Sequence, residues 1–229
     1  MTLLHEEPQS SLAYGHSSLG ASARRSPSDS VKRGIDIVLA GTGLVFLAPA
    51  IVLVMVAMLI ADGRPLCYAH TRIGRHGHPF QCLKFRTMCR DSAARLEALL
   101  ASCPHSRREW EESRKLRHDP RVHRLGDFMR RSSLDEIPQL LNVLRGEMSL
   151  VGPRPVTKDE LERYGEAVGH YLSQRPGITG LWQVSGRSDT SYGERVALDS
   201  RYATTRSMWL DMVILYRTVI VVLCMRGSR

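Results

Sequence analysis

Asp135 and Glu136 are adjacent carboxylates in SSLDEIPQLLNVLRGEMSLVGPRP (residues 132–155), between a serine pair and a proline. A Pro-Arg-Pro turn then supplies Arg154. A carboxylate can attack phosphorus and form an acyl phosphate, which splits one displacement into two easier ones. Such a step needs a divalent ion to neutralise a diphosphate and cations to hold the phosphates in line. Lys84 and Arg86 in LKFRTM (83–88), Arg154, and Arg187 in a Val-Ser-Gly-Arg loop are candidates for that clamp. On a strand, Lys84 and Arg86 would project to one face.

The elements that must position these groups can be read only coarsely. Ser133-x-x-Glu136 has the spacing of a capping box, in which both side chains satisfy backbone donors. With Ser133 as cap, Pro138 falls past the first turn; with Asp135 as cap, it falls inside it. Either register puts the carboxylates at the positive end of a helix, where anions are favoured. Capping and chemistry do not exclude one another. Residues 66–72 and 79–86 read as a β-hairpin around Gly74 to Gly77. Helical patterns follow over 91–100, 107–117, 139–144, 159–164 and 196–204, with 175–180 as a turn-rich loop.

The chain has 229 residues, of which 43% are hydrophobic and 24% charged, enough for one folded domain with appendages. Its net charge of +9 calls for an anionic partner. Aromatic residues are only 6% and no basic stripe is interleaved with them, so nucleic acid is not an expected partner. The five cysteines are odd in number and form no C-x-x-C, which reads as reduced, mostly buried thiols. His76 and His78 flank a glycine, and a solvated loop explains them better than a metal pair.

Residues 1–30 are rich in serine, without apolar periodicity, and read as a disordered tail. Residues 37–61 then contain no charge over 25 positions, and a straight helix of that length reaches about 37 Å, enough to cross a bilayer core. Basic residues stand on both sides: Arg24, Arg25, Lys32 and Arg33 before it, Arg64, Arg72 and Arg75 after it. Both flanks therefore favour the cytoplasm. Pro49 lies mid-run and can break the helix. A helix that enters and leaves one leaflet, over 31–62, satisfies both flanks; a kinked transmembrane helix with an external catalytic domain remains the alternative. The apolar C-terminal segment 209–225 is interrupted by Asp211 and Arg217, which suits an interfacial or core-packed helix.

LKFRTM, SLDEIPQLLNVLRGEMSLVGPRP and RPGITGLWQVSGR (175–187) together resemble the bacterial sugar transferases that begin exopolysaccharide repeat units, the monotopic polyprenyl-phosphate phosphoglycosyl transferases. The resemblance covers Lys32 to the C-terminus, and within it the likeness is to galactosyl or glucosyl phosphotransferases. It implies a helix-rich α+β catalytic domain (63–229) facing the cytoplasm from the bacterial inner membrane, with a re-entrant N-terminal helix and amphipathic interfacial helices. It implies Asp135 as nucleophile toward the β-phosphate of a Mg²⁺-bound UDP-sugar, Glu136 as its partner, both carboxylates near the metal, and UMP as product. Undecaprenyl phosphate would then take the sugar phosphate. The family's Asp-x-x-Tyr element matches Asp199 and Tyr202 in a supporting role. Two positions depart from the common pattern: Ala48-Pro49 replaces Ser-Pro at the helix break, and Ser188 stands where asparagine is common. A non-catalytic scaffold that binds anionic lipid is the alternative class. Oligomeric state is open, with a homodimer among the partners considered.

Overall fold

The computed structural model describes residues 27–113, 116, 119–186 and 190–224. Helix α1 runs over Pro27–Ala61. Proline at its first position and Asp29 in its first turn suit the helix start. At the other end, the amides of Asp62 and Gly63 both donate to the Met58 carbonyl, at 2.9 and 3.1 Å. Gly63 takes the left-handed conformation that closes such an end (φ 67°). The helix thus starts at Pro27 rather than at 31, and it continues through Pro49.

The two halves of α1 bury different residues against one and the same body. Ala40 is buried with Phe80, Cys82, Val143 and Met148. Val54 and Met58 are buried with Phe85 and Met129. Around Pro49 the side chains instead face outward, with Phe46 81% and Leu53 70% exposed. The helix is long and apolar enough to cross a membrane, and it leaves apolar surface bare on both sides of the proline.

Strands β1 (Cys67–Ile73) and β2 (Pro79–Phe85) form the antiparallel hairpin, paired from Ile73↔Pro79 to Cys67↔Phe85. The connection works because His76 and Gly77 adopt positive φ values of 61° and 82°, and the Gly74 amide donates to the His78 carbonyl at 2.8 Å. Helices α2 (Ser92–Ser102) and α3 (Pro104–Ser113) follow, then α4 (Arg124–Arg131). Neither α2 nor any part of α3 belongs to a buried cluster, so the pair forms a solvated hairpin beside the body. Pro104 begins α3 rather than merely ending α2, as proline can at a first helical position. Helix α4 has no counterpart in the sequence reading.

Helix α5 (Gln139–Arg145) closes on the outer edge of β2 through one side chain. Asn142 is fully buried; its Oδ1 accepts from the Leu83 amide at 3.0 Å and its Nδ2 donates to the Gln81 carbonyl at 2.7 Å. The amide side chain thereby replaces a missing third strand. After α5, β3 (Ser149–Val151) leads to α6 (Lys158–Glu162), α7 (Val168–Leu172) and β4 (Gly177–Thr179). Strands β3 and β4 pair in parallel, Ser149↔Gly177 and Val151↔Thr179. The segment expected as a turn-rich loop is therefore part strand. Helices α8 (Leu181–Ser185), α9 (Tyr192–Thr205) and α10 (Met208–Leu223) complete a helix-rich α+β fold.

Of the five thiols, all free, only Cys82 is buried, so the expectation of mostly buried cysteines is corrected. In α10, Asp211 is no interruption. It is 3% exposed and accepts from Tyr202 Oη at 2.7 Å and Lys32 Nζ at 2.6 Å, while Trp209 and Tyr216 stand exposed on another side of the helix.

Candidate active site

Asp135 and Glu136 occupy a 3-10 turn, Leu134–Glu136, and Ile137 and Pro138 keep helical dihedrals into α5. Ser133 holds a left-handed conformation (φ 58°) and makes no capping hydrogen bond. The capping box expected there is absent; intact ones lie at Thr157/Glu160 and Ser191/Glu194. Glu136 has a different partner. Its Oε1 accepts from Lys84 Nζ at 2.5 Å, which ties the carboxylate pair to β2.

Asp135 is 9% exposed. Burial pushes its carboxyl up to about 6; Glu136 adds to the rise, while Lys84 and Arg130 oppose it. For Lys84, burial works against the ammonium, but Glu136 and Asp135 outweigh it and hold the amine above its ordinary value. Arg130 is the cation the sequence reading missed. It lies in α4, its Nε donates to Thr87 Oγ1 of LKFRTM at 2.8 Å, and its charge acts on Asp135. Gly126 lets α4 come this close: a methyl there would lie 2.1 Å from the Thr87 carbonyl oxygen.

Arg154 is linked to the hairpin through Glu160. Its Nη1 reaches Glu160 Oε1 at 3.2 Å, and Arg72 reaches Glu160 Oε2 at 2.8 Å. Glu160 is itself fixed by the capping box with Thr157. Burial pushes the Cys82 thiol up, and the charges of Lys84, Glu136, Arg72 and Arg154 modulate it. Arg154 is 36% exposed and open to solvent. Arg86 goes elsewhere: it pairs with Asp62 at 2.7 Å and donates to the Asp62 and Gly63 carbonyls at the end of α1. The structure thus brings Lys84 and not Arg86 to the carboxylates. Arg187 and Ser188 lie outside the described residues.

The Arg154 loop is set by close backbone contact. A methyl on Gly152 would meet the Arg175 carbonyl oxygen at 2.3 Å, and one on Gly177 would meet the Gly152 amide nitrogen at 2.1 Å. Only glycine permits this approach, and it locks VGPRP against RPGITG. Beneath the loop, Tyr202 Oη and Lys32 Nζ both donate to the Val151 carbonyl, each at 3.1 Å. Asp199 is 2% exposed and accepts from Tyr164 Oη at 2.8 Å. Burial pushes its carboxyl up to about 7, against the Tyr164 hydrogen bond and the Arg154 backbone and charge. Asp199 and Tyr202 therefore support the loop from below. Asn142 and Thr87 are the other supports that the sequence reading passed over, because each acts through a partner far away in the chain.

Among the described residues no three metal-ligating side chains cluster. The donor set still fits Mg²⁺, which takes one or two carboxylates and completes its shell with water and substrate phosphate. Asp135 and Glu136 are such a pair, and the burial that pushes the Asp135 carboxyl up is a cost that a bound cation would offset.

A buried carboxylate on which Lys84 and Arg130 both act is suited to attack on a phosphate. The bacterial sugar transferase family matches over residues 27–225, and the chain belongs to that family. It is 49% identical over 197 residues to the exopolysaccharide production protein ExoY of Sinorhizobium fredii, covering 86% of this chain and 87% of that one. It is 50% identical over 198 residues to a sugar transferase of Haemophilus influenzae without a characterised role, and 48% identical over 198 residues to the undecaprenyl-phosphate galactose phosphotransferase of Salmonella typhimurium. Each of those matches covers 86% of this chain, but the chain spans only 42% and 41% of their lengths.

Proposed function

We propose that the protein transfers hexose 1-phosphate, from UDP-galactose or UDP-glucose, to undecaprenyl phosphate, the first membrane step in building an exopolysaccharide repeat unit. The observation that carries the reading is Asp135, buried beside Lys84 and Arg130 at the start of a helical run. A carboxylate oxygen of Asp135 attacks the β-phosphorus, the bond to the α–β bridging oxygen breaks, and UMP departs with that oxygen. An oxygen of undecaprenyl phosphate then attacks the phosphorus and returns the carboxylate. Lys84 and Arg154 hold the phosphates, and Glu136 keeps Lys84 in place between turnovers. Bound through Asp135 and Glu136, Mg²⁺ supplies charge neutralisation for the diphosphate.

The same reading seats α1 as a re-entrant helix, with the catalytic domain on the cytoplasmic face of the inner membrane. Burial of Ala40 and of Met58 against one domain supports this, since a transbilayer span would part its two ends by the bilayer thickness. The bare surface of Trp209 and Tyr216 on α10 supports an interfacial seat. Radiolabel in the β-phosphate of the UDP-hexose, offered without lipid, tests the covalent step. The wild-type chain becomes labelled and releases UMP; Asp135→Asn does neither. Equal labelling of the two, or no label on the wild type, removes Asp135 as nucleophile. UMP release with a lipid acceptor but no UMP exchange without it would instead mean direct transfer.

A further inference from the structure

A second cationic site lies away from the carboxylates, at the N-terminal end of α1. Lys32, Arg33, Arg75, Arg175 and Arg206 line a small cavity with only Asp29 and Asp36 as acids. The carboxylates are already committed. Asp36 accepts from Ser149 Oγ at 2.8 Å and the Leu150 amide at 3.2 Å. Asp29 is shared between Arg206 and Arg75, the latter at 3.5 Å. Arg33 donates to the Val143 and Leu144 carbonyls, and Arg175 Nε to that of Gly146. Arg75 Nε is buried without a hydrogen-bond partner. A buried guanidinium N–H with no acceptor costs free energy that an incoming oxygen would relieve.

The place of the cavity identifies its ligand. It ends where the uncharged run begins at Ile37, and Val38, one turn beyond Gly34, is 64% exposed. Trp209, three residues after Arg206, is 78% exposed. Tryptophan at the edge of an apolar surface marks headgroup depth. The cavity volume of about 20 Å³ holds a single oxygen-sized group, so a tetrahedral anion would lodge one oxygen inside and keep the rest at the mouth. We propose that this pocket binds a phosphate-bearing anion at the membrane surface, the headgroup phosphate of an anionic phospholipid or a free phosphate of the same chemistry, and so fixes the N-terminal flank of α1 at headgroup depth. The site is separate from Asp135 and needs no sugar nucleotide. It rests on the seating of α1 in the bilayer.

The full chain is reconstituted in nanodiscs of phosphatidylcholine with a minor share of phosphatidylglycerol, and the lipid retained on release is counted by native mass spectrometry. Wild type retains phosphatidylglycerol in excess of its share. Arg75→Gln loses about fivefold of that excess, the effect of one basic residue at an anionic surface. Asp29→Asn removes the acid that competes for Arg75 and Arg206 and raises retention, a change of opposite sign that misfolding would not produce. In a separate arm, inorganic phosphate raises the melting temperature of the detergent-solubilised wild type but not of Arg75→Gln if the free anion is also an occupant; retention of phosphatidylglycerol without that rise assigns the lipid alone. No excess in wild type together with no phosphate-dependent rise, or equal responses in wild type and a folded Arg75→Gln, overturns the site. Flotation of wild type with pure phosphatidylcholine vesicles checks the membrane seating by itself: loss of flotation sinks that reading, whereas flotation without retention sinks only this pocket.

Discussion

Lys84 donates to Glu136 at 2.5 Å, and because Glu136 adjoins Asp135, one ammonium governs both carboxylates. Lys84 lowers the Asp135 pKa and Glu136 raises it. With an ionised nucleophile, kcat/KM rises as pH passes about 6 in the free enzyme. Lys84→Met moves this acid limb to higher pH and Glu136→Gln moves it to lower pH, each by on the order of one unit. Limbs that shift together, or not at all, would show that another group titrates.

Asp135 also taxes the fold. Its folded pKa of about 6 lies above the ordinary aspartate value of 3.8, so the stability associated with its neutral form is complete below about pH 4 and declines as pH rises through 6. Asp135→Asn is therefore more stable than wild type at neutral pH, by up to about 3 kcal/mol, and the gap closes toward about pH 4. Urea denaturation at several pH values measures it. Asp199, raised to about 7, works in the same direction at slightly higher pH.

Gly152→Ala and Gly177→Ala each drive a methyl into backbone atoms 2.1 to 2.3 Å away. Neither neighbour can turn aside, so each costs about 3 kcal/mol and displaces Arg154. Gly193→Ala is the control. It lies in α9 with no atom within 4 Å of the added methyl, and it gains up to about 1 kcal/mol of helix propensity. Thermal melts separate the three.

Lys32→Met strands Asp211, which is 3% exposed, and costs about 3 to 5 kcal/mol. Adding Asp211→Asn recovers most of that loss, because the uncompensated charge is gone. A double-mutant cycle in denaturant reads the coupling; strict additivity would mean that the contact carries no energy.

The hairpin was legible because apolar and polar residues surround a glycine-framed turn. Strand β4 was not: three residues inside Arg-Pro-Gly-Ile-Thr-Gly are too few to show alternation, and the pairing partner lies 28 positions earlier, Ser149 against Gly177. The Ser133/Glu136 spacing misled because the serine backbone is left-handed and Glu136 finds Lys84 instead, 52 residues away. The carboxylates, Lys84 and Arg154 were visible as residue types. Arg130, Thr87 and Asn142 were not, since each matters only through a tertiary contact that no local pattern encodes.

Helix α1 is gripped near both ends by one domain, which on the proposed membrane seating would hold the carboxylates at a set height over the lipid. The acceptor would then arrive by sliding in a plane while the nucleotide would arrive from the bulk. Turnover would follow the number of carrier molecules per unit of membrane area, and adding inert lipid at constant total carrier would slow the second half-reaction without touching the first.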